Sequence, residues 1–256
     1  VAEAARIATS YASAVTLRQL FYRLVSPGVI PNQQSYYRRL SEYTAQARRD
    51  GWFPDLLDQG RSIIEPVTFA DPDEAHEWLR YTYRTDRTAG QEYQIWLAGE
   101  KRTLIEQLDE WFGNFGVPII VLSGYSSQTL ADQVSRRVSE DGRPAVLIYA
   151  GDLDSSGEDI DRSWVERTHH CWKHVDRIAV NAEQVERFGL IEQPGKPGDP
   201  RAAGFVRRHG RLFQVEVEAL DPNDLRDLYR NAFSEWWDPG AYDNALIREE
   251  AERSRL

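Results

Sequence analysis

The sequence predicts an α/β protein, a Rossmann-like parallel sheet flanked by helices, with a helical module in front of it. Short apolar runs at residues 93–98, 117–122, 145–150 and 175–180 alternate with amphipathic stretches at 104–112, 128–138 and 160–170. That is the pattern of strands that return in parallel through crossover helices. Ahead of them, Leu17, Leu20, Phe21 and Leu24 follow the i, i+3, i+4, i+7 spacing of one buried helix face. At 256 residues and 41% apolar content, the chain can bury a core in one large domain or two modest ones.

Thr16 is placed to cap the first helix and Pro27-Gly28 to stop it. A second helix is expected over about residues 34–49, with Tyr36, Tyr37, Leu40 and Tyr43 as its apolar side and Gly51 as its end. Two short helices joined by a turn, the second carrying Arg38, Arg39, Arg48 and Arg49, suggest a helix-turn-helix or winged-helix module over residues 1–65. The segment from Trp52 to Ile64 would supply the wing, since Asp58-Gln59-Gly60 is turn chemistry followed by Ile63 and Ile64. The same residues also fit an ordinary helical subdomain with a solvated arginine face. Residues 66–92 read as a connector holding one helix, from Asp71-Pro72-Asp73 through Trp78, Leu79 and Tyr83. The α/β domain then occupies 93–256. It includes an irregular loop at 194–200, a β-like run at 212–217, a helix at 222–233 and a polar, helix-prone tail at 236–256.

Charge is uneven. The net charge of −10 argues against a polyanion partner, yet residues 1–64 hold eight Arg against five acidic residues, so the excess of acid lies in the remainder. A carboxylate-rich remainder is compatible with nucleic acid if metal ions neutralise part of it. There is no run of ~18 apolar residues and no basic-plus-apolar leader at Val1, and the single Cys171 excludes internal disulfides. The expectation is a soluble cytoplasmic protein without a membrane partner. Met is absent, position 1 included, so a start inside a longer reading frame or after processing is expected. No G-x-x-x-x-G-K-[ST] loop is present, which argues against ATP hydrolysis by this chain.

The candidate chemistry is acidic. Glu100 follows the apolar run at 93–98, at the strand end where parallel sheets bind ligands. Asp152 and Asp154 follow the run at 145–150, and in an extended segment residues i and i+2 project the same way. Three carboxylates converging there would repel one another, and a hard cation with oxygen ligands relieves that. The plain alternative makes both aspartates turn and cap residues. Ser155 to Glu158 has the spacing of a capping box, which would leave free N–H groups near the carboxylates. Glu216 and Glu218, on one side of the 212–217 run, are a further source of carboxylate. His169, His170, Cys171 and His174 read as a helix surface, and Lys196, Asp199 and Arg201 as loop residues that contact phosphate or solvent.

Taken in order, Glu100, then Gly124-Tyr125, then Asp152-Leu153-Asp154-Ser155-Ser156-Gly157 resemble the Toprim domain of topoisomerases and primases. With a winged-helix module before it, the chain is most similar to the topoisomerase VI A subunit, its meiotic double-strand-break relatives and the Wadjet nuclease subunit, over roughly residues 16–233. The resemblance implies Mg²⁺ (or Mn²⁺) on Glu100, Asp152 and Asp154, with Glu100 also able to handle the proton on the leaving oxygen. It implies DNA as partner, contacted through Arg38, Arg39, Arg48, Arg49 and Lys101, a homodimer for duplex cutting, and a separate ATPase subunit if the chain is a topoisomerase. Arg18-Gln19-Leu20-Phe21-Tyr22 stands where that group has an Arg-Asp-Ile-Tyr-Tyr-like motif, making Tyr22 the candidate nucleophile and Arg18 its helper. Gln19 and Phe21 depart from the motif, and Tyr22 also fits a core-margin tyrosine whose hydroxyl finds a hydrogen bond. Strand transfer by Tyr22, hydrolysis by water, and a silent domain that only binds nucleic acid or a partner are the three functional outcomes.

Overall fold

The computed structural model describes residues 1–57, 66–122 and 128–256. Of the expected wing, Trp52 to Ile64, residues 58–64 lie outside the described residues, as does the Gly124-Tyr125 motif, and residues 52–57 form no strand beyond an isolated bridge between Leu57 and Thr16. The elements in chain order are α1 (Ala2–Thr9), α2 (Leu17–Val25), α3 (Gln34–Arg49), α4 (Pro72–Thr82), β1 (Gln94–Gly99), α5 (Arg102–Phe112), β2 (Ile119–Val121), α6 (Gln128–Asp141), β3 (Ala145–Ala150), α7 (Gly157–Arg167), β4 (Trp172–Ala179), α8 (Ala182–Arg187), β5 (Gln193–Pro194), α9 (Ala202–His209), β6 (Phe213–Gln214), α10 (Pro222–Ser234) and α11 (Pro239–Arg253).

Strands β2, β1, β3 and β4 lie side by side in that order, all parallel, and β5 and β6 form a short antiparallel pair. Every residue of β1 and β3 is buried, as a parallel sheet covered on both faces requires. Alternate side chains go to opposite faces. Ile95, Leu97, Val146 and Ile148 join one cluster with Leu104 and Leu108 of α5, Leu225 and Tyr229 of α10, and Leu20 and Phe21 of α2. Trp96, Leu147 and Tyr149 join the other with Val134 of α6 and Ile160 and Trp164 of α7. The N-terminal helices therefore share a core with the sheet, and α2 is held against its carboxyl-end loops.

Local chemistry explains most boundaries. Thr16 and Gln19 form a reciprocal capping box at α2. Helices α4, α10 and α11 each begin with an Asp-Pro pair whose aspartate, Asp71, Asp221 or Asp238, accepts first-turn amides. Gly51 ends α3 with φ +78°, a left-handed conformation that suits glycine. Three expectations change. The buried side of α3 is Leu40, Thr44 and Ala47 at i, i+4, i+7, and this turns Tyr43 outward. Expected strand 212–217 shortens to β6 because Val217 to Ala219 form a 3₁₀ turn. Helices α1, α8 and α9, absent from the periodicity reading, are only six to eight residues long and carry too few turns to show a repeat. Among the described residues no helix is long and apolar enough to cross a membrane.

Leu147 is fully buried at the centre of β3. Replacing Leu147 with Ala should cost about 3 kcal/mol in urea unfolding monitored by tryptophan fluorescence, with the m-value unchanged.

Candidate functional site

The parallel register sets Gly99 of β1 beside Ala150 of β3, so the residues that follow leave the sheet together. The Glu100 amide donates to the Ala150 carbonyl at 3.1 Å, and the Asp152 amide donates to Glu100 Oε2 at 2.6 Å. A Cβ on residue 151 would stand 2.9 Å from Glu100 Oε2 and closer still to the Tyr149 phenolic oxygen. Glycine at 151 is what allows this approach.

A second crossing completes the site. Leu153 and Val215 exchange backbone hydrogen bonds of 2.9 Å, which lays the segment after β6 against Asp152. The Val217 amide donates to Asp152 Oδ1 at 2.8 Å. Lys101 Nζ then lies 3.3 Å from Asp152 Oδ1, 3.4 Å from Glu216 Oε2 and 3.2 Å from Glu218 Oε2. Arg18 of α2 forms a two-pronged pair with Glu216 at 2.8 and 2.6 Å, and Thr16 Oγ1 donates to Glu218 Oε1 at 2.9 Å. Arg18, Glu100, Lys101, Asp152, Glu216 and Glu218 all line one cavity of about 880 Å³.

Burial, reinforced by the charge of Asp152, pushes the Glu100 carboxyl up to about 7, although the Asp152 amide and Lys101 pull the other way. Burial also raises Asp152, opposed by Lys101 and the Val217 amide. For Lys101, burial disfavours the ammonium, yet Asp152, Glu218 and Glu216 together hold its pKa above the ordinary value. The lysine is thus a resident counter-ion, and Glu100 is the acid whose charge is least compensated.

The expected site residues divide. Glu100 and Asp152 come together. Asp154 turns back on its own loop, where Oδ1 accepts from Ser156 N at 2.9 Å, Ser156 Oγ at 2.8 Å and Gly157 N at 2.6 Å. The charge of Asp154 still reaches Glu100 and adds to the rise of that carboxyl. The Ser155 to Glu158 capping box does not form: α7 starts at Gly157, and Glu158 instead pairs with Arg208 at 2.5 Å and His209 at 2.7 Å. Tyr22 lies inside the core rather than at its margin, and its hydroxyl has the hydrogen bond that the plain reading expects, accepting from Gln193 of β5. Burial, then Glu216, push its phenol up to about 12 against the pull of Arg18 and Lys101. Tyr37, not Tyr22, reaches the cavity, with the Arg18 guanidinium 5.1 Å from its ring centre.

Lys101 faces inward to carboxylates rather than outward as a surface phosphate contact. Arg38, Arg39 and Arg49 are exposed on α3, and Arg48 is half-buried there. His169 and His170 sit in the turn after α7 and His174 on β4 against Trp236, so the expected helix surface is a turn and a strand. The Arg201 amide donates to Asp199 Oδ1 at 2.8 Å, a loop-stabilising role.

Among the described residues no group of three or more His, Cys, Asp and Glu is arranged to hold a metal ion. The Glu100 and Asp152 pair nonetheless offers only carboxylate oxygens, the donors that hard cations prefer, at the point where negative charge is poorly compensated. No family model and no curated protein matches the chain.

The Glu100 shift has a stability consequence. Its folded value of about 7 exceeds the ordinary 4.5, so the native state holds this proton more tightly than the unfolded chain does. Stability from this group is present below pH ~4.5 and is lost as pH rises through ~7. Glu100→Gln, whose amide oxygen still accepts from Asp152 N, should therefore unfold a few degrees above the parent at pH 8. That corresponds to roughly 1–3 kcal/mol after allowance for cavity water, and the gap should close by pH 5 in thermal melts.

Proposed function

We propose that the chain is a metal-dependent phosphodiesterase acting on nucleic acid, of Toprim type, with a helix-turn-helix-like N-terminal part that presents Arg38, Arg39 and Arg49 to the backbone. The observation that carries this reading is the contact between Glu100 and Asp152 at the carboxyl end of the parallel sheet, inside a cavity large enough for a nucleotide. Glu100 and Asp152 would hold a Mg²⁺ or Mn²⁺ ion, with Asp154 joining them once its oxygen is released from Ser156 and Gly157. When bound, that ion supplies positive charge to the phosphate.

The chain's own groups account for the rest. Where Asp152 holds the ion without it, Glu100, raised to about 7, could take a proton from an attacking water or give one to the leaving oxygen. Arg18 and Lys101 keep the surrounding carboxylates neutralised. Hydrolysis is favoured over strand transfer, because the Tyr22 phenol is fully buried, engaged by Gln193 and raised to about 12. A homodimer follows from the need to cut two strands.

One observation favours a second reading. Lys101 already compensates three carboxylates, as in a domain whose site is silent and which only binds nucleic acid or a protein partner.

Incubation of supercoiled plasmid with the protein and Mn²⁺, followed by denaturing electrophoresis, tests both. Hydrolysis predicts nicked or linear DNA free of protein, a loss of about 100-fold in Asp152→Asn, and activity within a few-fold of the parent in Tyr22→Phe. Protein attached to cut ends, abolished by Tyr22→Phe, would instead establish the covalent route. DNA left intact with every divalent ion, alongside a gel shift, would establish the silent domain.

A further inference from the structure

Of the twelve large apolar side chains that stand exposed among the described residues, five fall between residues 67 and 81: Val67, Phe69, Trp78, Leu79 and Tyr81. So many in so short a stretch mark an interaction surface rather than scattered exposure. Helix α4 lies at its centre and has no buried residue, and Tyr81 is 81% exposed. The Ala70 amide donates to Glu74 and ties the preceding segment to the helix, where Phe69 packs on Trp78 with ring centres 5.4 Å apart. At about 100° per residue, Trp78 and Tyr81 share one side of α4, and Asp73, Glu77 and Arg80 share the flank beside it. All three flanking charges are exposed. Acid precedes base along the chain: Asp71, Asp73, Glu74 and Glu77 come before Arg80 and Arg84.

We propose that α4 pairs, antiparallel, with α4 of a second copy of this chain through Phe69, Trp78 and Tyr81. Charge selects this occupant. Turned end for end, each copy sets its acidic first half against the basic end of the other, with Glu77 of each beside Arg80 of the other, and the two helix dipoles oppose. The contact is isologous, so each favourable pair occurs twice. A parallel pair would set like charges side by side, and four acids against one arginine within residues 71–82 disfavour a nucleic-acid strand. Aromatic rings at the centre with charges at the rim are the arrangement of a protein interface. The surface deepens the phosphodiesterase reading by supplying its homodimer, and it rests on that reading only for the use to which the pair is put.

Sedimentation velocity of the full chain, without metal or DNA, tests the pairing. One helix pair is a small interface, so the dimer should dissociate with a Kd on the order of 10 µM. Tyr81→Glu should raise that Kd about tenfold or more, as loss of one aromatic anchor does. Its melting temperature should match that of the parent at concentrations where both are monomers, because Tyr81 is exposed. Glu77→Arg and Arg80→Glu should each weaken pairing several-fold, since each leaves like charges along the flank. An equimolar mixture of those two variants should dimerise at least as tightly as the parent, an all-basic flank meeting an all-acidic one. A parent still monomeric at about 200 µM, well above the expected Kd, overturns the proposal. So does a parent dimer that Tyr81→Glu leaves intact, or a mixture no tighter than either charge variant alone. A monomeric parent that cuts plasmid sinks the pairing and spares the phosphodiesterase. A dimer that Tyr81→Glu breaks, but that leaves DNA intact with every divalent ion, supports the pairing and sinks the phosphodiesterase.

Discussion

Four carboxylates share a largely buried cavity at the end of a parallel sheet, and their mutual repulsion is the constraint around which this end of the molecule is built. Two unit charges a few ångströms apart interact by several kcal/mol at protein-like polarisability. The chain answers with Lys101, which touches three of the carboxylates at once, and Arg18, which grips Glu216 with both nitrogens. Backbone amides of Asp152 and Val217 contribute as well. Glu100 remains the least compensated, its carboxyl raised to about 7 by burial and by the charge of Asp152.

The rest of the fold follows from holding these groups in place. Parallel pairing of β1 with β3 aligns Glu100 and Asp152, and the Leu153 to Val215 crossing delivers Glu216 and Glu218. Helix α2 brings Thr16 and Arg18 against the same carboxylates and packs its apolar face into the core of the sheet. Helix α2 is therefore part of the site. A change in α2 that disturbs its packing is felt at the carboxylates through Arg18.

Tyr22 and Asp154 illustrate how position and availability differ. Both stand near the cavity in sequence logic, yet each is satisfied elsewhere, Tyr22 by Gln193 and Asp154 by the turn that opens α7. Gly157 makes the second arrangement possible, since a Cβ there would collide with the Asp152 carbonyl oxygen. Asp154 is thus bound into the turn that opens α7 while its charge still acts on Glu100.

Local patterns in the sequence were enough for the parallel α/β class, the cap at Thr16, the ends of α2 and α3, and the placing of Glu100 and Asp152 at strand ends, because periodicity, turn chemistry and strand-end geometry act over a few residues. The roles of Glu216 and Glu218 were only half legible: their spacing marked a pair of acids, but the strand imagined for them ends at Gln214. Nothing in the sequence marked Lys101 as an internal counter-ion or Gln193 as the partner of Tyr22. Those assignments join residues far apart in the chain. Sequence by itself determined which chemical groups were available and which backbone elements carried them. Tertiary packing decided which of those groups face the cavity and which are spent on one another, because burial and pairing of charge are set by the whole surrounding shell.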